Sequence, residues 1–197
     1  MEAFELLTVS ARIADALADD LRAVFGPLGA ARLRAGAGDA LVEEVQRTLA
    51  RGADLLAVTR QMARVASGAG PIPVDLAVLA QDECALAAVA FASRSVVLTM
   101  APADAPEALV VHGMPTALRA MVAEMLDRAL RSCVPGQGGE VRVFVQGASL
   151  VVELGGQGAG SLLDAGRVAH AFLQEIARAH GLRLEVSEKR LRVGLVS

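Results

Sequence analysis

A glycine-rich run, Gly156-Gln157-Gly158-Ala159-Gly160, is the segment of this chain whose composition most readily suggests chemistry. Such loops bind phosphate when a helix begins directly after the glycines, because the first amides of the helix then face the anion. Here residues 161–165 intervene, and no Lys-Ser or Lys-Thr pair follows. The pattern therefore favours a simple turn, or the remnant of a phosphate-binding loop.

Three aspartates near the N-terminus form a second group with possible chemistry. Asp15, Asp19 and Asp20 are close enough along the chain to hold a cation weakly. The favoured interpretation is a solvated helix face, because acidic residues on an exposed helix are usually hydrated rather than metal-bound.

The histidines and cysteines do not form a recognisable site. His112, His170 and His180 have no metal-ligand spacing with one another or with Cys84 and Cys133. The sequence therefore predicts no metal site. It predicts reduced, buried cysteines and surface or structural histidines.

Composition bounds the class of protein. The chain has 197 residues, 54% hydrophobic and 21% charged, which suffices for one large domain or two small ones. No apolar run of about 18 residues is evident, and the N-terminus lacks a basic region, so we expect a cytoplasmic protein. A net charge of −3 and the absence of Trp and Tyr argue against nucleic-acid binding.

The first third of the chain predicts two helices. Gly26-Pro27 should kink the first of them, because proline removes one backbone donor. Residues 35–38 make the turn, and Asp39 is a plausible N-cap for the second helix. The apolar seams are Leu17, Leu21, Val24, Leu28 and Ala31, then Leu41, Val45, Thr48, Gly52, Leu55, Thr59 and Met62, with a neighbouring stripe at Val42, Leu49 and Leu56.

These seams are wider than one hairpin can cover. We expect residues 1–67 to form an antiparallel helical hairpin that pairs with a second copy as a four-helix bundle. The alternative is that the C-terminal domain covers the apolar face.

Residues 67–73 form a glycine- and proline-rich linker, so the second domain is expected over 74–197. Its pattern predicts an α+β fold in which helices lie on one face of a mostly antiparallel sheet. The expected helices are 75–92, 115–133 and 166–180, and the expected strands are 95–100, 109–112, 140–146, 149–154, 182–187 and 191–196.

This order of elements resembles the dimerisation domain and Bergerat-like ATP-binding α/β sandwich of sensor histidine kinases. Four segments are similar to kinase motifs in their residues as well: VVHGMP (110–115), EMLDRAL (124–130), ELGGQGAG (153–160) and EIARAHGLRLEV (175–186). The chain more closely resembles the ChpT-type histidine phosphotransferases, through FGPLGA (25–30) and ARVASGAG (63–70). The resemblance implies a homodimer in two-component signalling, with a response-regulator receiver domain or a sensor kinase as partner and no cofactor.

The chain departs from the kinase pattern where nucleotide would bind. Arg128 stands where the kinase asparagine holds magnesium, and arginine offers only donors and a fixed positive charge. Gly156 stands where an acid accepts a hydrogen bond from adenine. Residues 160–166 are too few for a nucleotide-covering lid. Together with Gly158 and Gly160, these positions form a degenerate nucleotide site, and ATP hydrolysis is not expected.

The first helix also lacks the acceptor histidine that the resemblance requires. The matching position is either Asp19 or Arg22, depending on which neighbouring motif is aligned. We expect Asp19, Asp20, Arg22, Gly26 and Pro27 to form a docking surface without a catalytic residue. Two alternatives remain open: a phosphotransferase with a non-standard acceptor, and an ATP-binding protein with a displaced magnesium site.

Overall fold

The computed structural model describes residues 70–101, 109–164 and 167–195. The helical hairpin expected over residues 1–67 lies outside these residues. The same holds for the proposed docking surface of Asp19, Asp20, Arg22, Gly26 and Pro27.

The described residues form a helical layer packed on a five-stranded sheet. The sheet has the strand order β2-β4-β5-β7-β6, and β1 pairs separately with β3. In chain order the elements are β1 Ile72–Asp75, α1 Leu76–Ser93, β2 Val97–Met100, β3 Val110–Gly113, α2 Pro115–Arg131, β4 Gly139–Val145, β5 Ser149–Gly156, a 3-10 turn Leu162–Asp164, α3 Arg167–Ala179, β6 Leu182–Val186 and β7 Arg190–Leu195.

Local sequence signals set the starts of the first two helices. Asp75 caps α1, since its carboxylate accepts hydrogen bonds from the amides of Ala77 at 2.8 Å and Val78 at 3.4 Å. Pro115 occupies the first turn of α2, where its missing N–H costs nothing. The sequence predicted Pro115 in the first turn of α2, and it placed the start of α1 one residue early, at the capping residue Asp75.

Alternation along the strands separates the two faces of the sheet. Val141, Val143 and Val145 of β4 are buried beneath the helices, whereas Arg142 between them is exposed. The helices contribute large core residues such as Phe91 and Phe172. The fold is therefore α+β with its core between one sheet face and the helical layer, as the sequence predicted.

Three features of the fold were not predicted. β1 begins in the last two residues of the expected linker, extends into the expected start of the second domain, and pairs antiparallel with β3, with Ile72 opposite Gly113. β2 runs parallel to β4, so the sheet is mixed. The 3-10 turn over Leu162–Asp164 follows the glycine-rich run.

One helix among the described residues, α1, is long and apolar enough to cross a membrane by length and composition. The sequence predicted no such segment, and α1 has this length and composition even though it contains Asp82 and Glu83. Core helices of globular domains often do the same, and Leu76, Leu79 and Phe91 of α1 belong to this domain core.

His180 joins the end of α3 to the start of α2. Its Nδ1 donates to the carbonyl of Ile176 at 2.7 Å, and its Nε2 accepts from the amide of Met114 at 3.1 Å. Both ring nitrogens are therefore engaged in the neutral form. A Cβ on Gly113 would lie 2.1 Å from His180 Cδ2, so the ring is closely packed as well.

Burial lowers the pKa of His180, because the charged imidazolium is poorly solvated there. The unfolded chain then binds more protons than the folded one, so the contribution of this group is present above about pH 6.5 and is lost as the pH falls through its folded pKa. We expect His180→Gln to cost about 1–3 kcal/mol at pH 8. It should also flatten the decline in stability below pH 6.5, measured by urea unfolding.

The matched control is His112→Gln, because His112 is exposed on β3. That variant should keep the wild-type stability and its acid dependence. An unchanged acid dependence in His180→Gln would assign the pH sensitivity to another group.

Candidate functional site

Arg128, Gly156, Gly158 and Gly160 come together in the fold. Gly156 ends β5, Gly158 and Gly160 follow it, and Arg128 reaches the same loop from the last turn of α2. The turn between β6 and β7 closes the other side through Glu188 and Lys189. We call residues 156–162 the glycine loop.

The glycine loop is paired with the chain segment that leaves α2. Ala159 forms an antiparallel bridge with Cys133. The amide of Gly160 donates to the carbonyl of Ser132 at 2.7 Å, and the amide of Val134 donates to the carbonyl of Gly158 at 2.8 Å. This backbone pairing commits the carbonyl of Gly158 and the amide of Gly160 to the protein itself.

Close backbone contacts explain two of the glycines. Gly156 has φ +78°, a conformation that L side chains rarely adopt, and its Cβ would lie 2.2 Å from the carbonyl oxygen of Gly138. A Cβ on Gly160 would lie 2.4 Å from the carbonyl oxygen of Ser132. Packing within the protein is therefore sufficient to require glycine at both positions.

Two cationic side chains bind carbonyl oxygens of the loop. Lys189 Nζ donates to the carbonyls of Ala159 at 2.8 Å and Gly160 at 2.7 Å. Arg128 Nε donates to the carbonyl of Leu162 at 2.9 Å, and Arg128 Nη2 donates to the same oxygen. The Ser132 hydroxyl donates to the intervening carbonyl of Ser161 at 3.0 Å. Each carbonyl from residue 158 to residue 162 thus accepts a hydrogen bond from the protein itself.

Three amides of the loop, and the amide that follows it, also donate within the protein. Those of Ala159 and Gly160 donate to backbone carbonyls, and that of Leu162 donates to the carbonyl of Glu188 at 2.8 Å. The amide of Leu163 donates to the hydroxyl of Ser161 at 3.1 Å. A phosphate cradle needs several amides pointing at the anion, so this loop is not arranged as one.

Arg128 is a buried residue of the fold. Only 2% of it is exposed, and its guanidinium links α2 to the 3-10 turn. A magnesium ligand must offer an oxygen lone pair, and arginine offers none. At the position where the resemblance requires magnesium binding, the chain therefore supplies a cation of its own.

The glycines and Arg128 were predicted from the sequence, and the fold brings them together, but Lys189 and Ser132 were not predicted to lie at this loop. Lys189 is the only lysine in the chain, and this rarity by itself indicates no function. A basic residue in a hairpin turn carries no signal that it will reach carbonyls 29 and 30 residues away in sequence.

The other candidate groups have structural environments. Cys84 and Cys133 are free and buried, and burial followed by the neighbouring Glu83 carboxylate raises the pKa of Cys84 to about 11. Such a thiol is inert at neutral pH. Within the described part of the chain, no group of three or more His, Cys, Asp or Glu residues could hold a metal ion.

The outer face of the sheet carries a shallow depression of about 210 Å³ between β5, β6 and β7. Charged side chains in and beside it pair with one another: Arg190 of β7 with Glu153 of β5 at 2.5 Å, and Arg183 with Glu185 along β6 at 3.2 Å. Pairs of this kind are typical of a solvated sheet face and do not concentrate one sign of charge.

No protein-family model matches the chain, and no curated protein sequence matches it. Among solved structures, the cytoplasmic segment of the histidine kinase QseC aligns with a TM-score of 0.52 and 19% identity, covering 64% of this chain and 78% of that chain.

Two further histidine kinases are similar at lower scores. The Acinetobacter baumannii kinase AdeS aligns with a TM-score of 0.48 and 11% identity over 89% of this chain and 94% of that chain. A kinase from Burkholderia phymatum STM815 aligns with a TM-score of 0.45 and 17% identity over 100% of both chains. The likeness to QseC shows that this chain shares the fold of that histidine-kinase segment.

Proposed function

We propose that this chain is a two-component signalling protein that acts as a dimeric docking or regulatory module and does not use ATP. Its partner would be a response-regulator receiver domain or a sensor kinase. The N-terminal hairpin would form the dimer interface and the docking surface. The kinase-like domain would serve as a scaffold that no longer binds nucleotide.

The observation that carries the proposal is the closure of the glycine loop by the protein's own groups. Lys189, Arg128 and Ser132 donate to its carbonyls, and its amides face the protein. A nucleotide would have to displace these contacts, and the loop would still offer no acid to the adenine and no magnesium ligand at residue 128. The histidine-kinase fold supports the signalling class, whereas the closed loop argues against kinase activity within it.

The sequence of the first expected helix supports the docking role. It has an apolar seam suited to pairing with a second hairpin, but it contains no histidine that could accept phosphate. Charged residues at Asp19, Asp20 and Arg22 remain beside the kink at Gly26-Pro27. This combination fits a surface that binds a receiver domain without passing phosphate to or from it.

Nucleotide titration tests the loss of ATP binding. A ligand at about 100 times its dissociation constant raises the free energy of unfolding by about 2.7 kcal/mol, which a thermal shift detects readily. We expect millimolar ATP with magnesium to leave the melting temperature unchanged. A saturable increase would show that the loop opens and would contradict the proposal.

Binding to receiver domains tests the docking role. The affinity of the full chain for candidate receiver domains can be measured by calorimetry, first unchanged and then with Asp20→Arg and Arg22→Glu combined. We expect the double reversal to weaken binding by about tenfold or more, because each contact would become a like-charge pair. The matched control combines Arg142→Glu with Glu188→Arg, which keeps the net charge and alters exposed residues of the other domain.

Equal affinities for the two double variants would remove the docking surface from the proposal.

Incubation with a phosphorylated receiver domain tests the rival function, a phosphotransferase with a non-standard acceptor. Stable label on His112, His170 or His180, or an acyl phosphate at Asp19, would establish a phosphotransferase with a non-standard acceptor. His180 is the poorest acceptor of these, since both its nitrogens are hydrogen-bonded within the fold.

A further inference from the structure

Strand β6 is an edge of the sheet, and its outer side has no strand partner among the described residues. It pairs only with β7, at the end of the strand order β2-β4-β5-β7-β6. Proteins usually prevent further pairing at such an edge with proline, lysine or a β-bulge. β6 has the sequence Leu-Arg-Leu-Glu-Val, without proline or lysine, and its register with β7 continues from Leu182 to Val186 without a bulge.

The register of the β6-β7 hairpin shows which backbone groups of β6 face outward. The amide of Ser187 donates to the carbonyl of Arg190 at 2.8 Å, so these two residues form a hydrogen-bonded pair beside the turn. Hydrogen-bonded and non-hydrogen-bonded pairs alternate along an antiparallel ladder. Residues 183 and 185 therefore bond to β7, whereas residues 182, 184 and 186 turn their amides and carbonyls outward, towards any strand added at this edge.

The apolar side chains of β6 are incompletely covered at the same edge. Leu184 and Val186 pack against the core but are only partly buried. Their neighbours on β7, Val193 and Leu191, are fully buried. A strand added beside β6 would remove more of the Leu184 and Val186 side chains from water, which favours association.

The charges of β6 are complementary to those of a second copy of the same strand. Arg183 and Glu185 lie on the outer face of the sheet, with side chains 72% and 49% exposed. When two copies of β6 pair antiparallel about Leu184, Arg183 of each copy lies opposite Glu185 of the other. Pairing centred on residue 183 would oppose two arginines, and pairing centred on residue 185 would oppose two glutamates. Opposite charges across a ladder stabilise it and like charges destabilise it, so the register centred on Leu184 is selected.

We propose that two copies of this chain join their sheets by antiparallel pairing of β6 with β6, centred on Leu184. This register also places the outward amides and carbonyls of residues 182, 184 and 186 opposite one another, so the two strands can form about six hydrogen bonds. The contact uses the same surface on both copies and therefore closes with two of them. It involves neither the glycine loop nor the docking surface, so it can fail while the proposed function stands.

Disulfide formation in the full chain tests the register. Arg183→Cys and Glu185→Cys are mixed in equal amounts, refolded together under reducing conditions and then oxidised; the two native cysteines are buried. The proposed pairing places the new thiols of the two variants directly opposite each other, with Cα atoms about 4.5 Å apart. Within either variant alone the new thiols lie on the diagonal, beyond the roughly 7 Å that a disulfide can bridge. We expect mass spectrometry to show the mixed disulfide in at least about tenfold excess over either homodisulfide.

Charge reversal tests the pairing by a second measurement, the hydrogen-exchange protection factor of the Leu184 amide, followed by NMR. Arg183→Glu alone opposes glutamates at both charged pairs, and Glu185→Arg alone opposes arginines, so each should lower the protection about tenfold. An equimolar mixture of the two variants, refolded together, forms mixed dimers in which every glutamate faces an arginine, and protection should return in them. The matched control Arg142→Glu reverses an exposed charge on β4, away from the edge, and should leave the protection unchanged. Circular dichroism verifies that each variant is folded.

Four results would overturn the proposal. Unprotected exchange of the Leu184 amide in the wild-type chain would show an unpaired edge. Protection that persists in both single variants would assign the edge to a different segment of the chain. Protection that the single variants lose and their mixture does not recover would place the effect within one chain, at the Arg183–Glu185 ion pair. Similar yields of mixed disulfide and homodisulfides would show random collision without a fixed register.

Discussion

Gly156→Asp, which supplies an acid at the matching position of the adenine site, should destabilise the protein and should not create nucleotide binding. The left-handed backbone and the overlap of the new Cβ with the Gly138 carbonyl should together lower the free energy of unfolding by about 3 kcal/mol. The obstacle is backbone rather than a flexible side chain, so local adjustment offers little relief. Urea unfolding measures the loss, and ATP titration measures the absence of binding.

The matched control is Gly147→Asp. Gly147 has φ +56°, but a Cβ added there would meet no atom within 4 Å. The same side chain therefore encounters similar backbone strain without the overlap, and we expect a loss of only about 1 kcal/mol. Equal losses at the two positions would show that conformation alone, and not the close approach to Gly138, requires glycine at 156.

Arg128→Asn, which places the kinase residue type at the matching position of the magnesium site, should have a comparable effect. The variant removes two charge-assisted hydrogen bonds to the Leu162 carbonyl and leaves a cavity in a site that is 2% exposed. We expect a loss of about 3 kcal/mol in the free energy of unfolding. We also expect no thermal shift with ATP and magnesium, since Lys189 still holds the loop through Ala159 and Gly160.

Two further variants serve as controls for Arg128→Asn. Arg142→Asn removes an exposed arginine from the outer face of the sheet, and it should change stability by less than about 0.5 kcal/mol. Arg128→Lys keeps the charge but loses the planar fork, so it should fall between the wild type and Arg128→Asn. If Arg128→Asn bound ATP with wild-type stability, the guanidinium would be a removable block and not part of the fold.

Both variants test the proposal that this loop no longer binds nucleotide. In the fold, glycine at 156 and arginine at 128 contact the protein itself, at Gly138 and Leu162. Substitution of Gly156 or Arg128 alone therefore leaves the other hydrogen bonds of the glycine loop intact. We therefore expect each substitution to lower the free energy of unfolding without creating ATP binding.

Sequence by itself determined most of the secondary structure of the described domain. The proline at the start of α2 and the alternation along β4 are local signals, because each depends on neighbours within a few residues. The sequence also predicts that Arg128 and Gly156 match the magnesium and adenine positions of histidine kinases, because the motifs around them are continuous segments of chain, and that match stays a prediction.

Tertiary structure alone decided how the glycine loop is closed. Arg128 bonds a carbonyl 34 residues away, and Lys189 bonds one 29 residues away. Every residue has a backbone carbonyl, so no residue type marks which one will accept such a bond. The pairing of β1 with β3 and the parallel register of β2 on β4 were undetermined for the same reason, because strand partners are chosen by packing between segments distant in sequence.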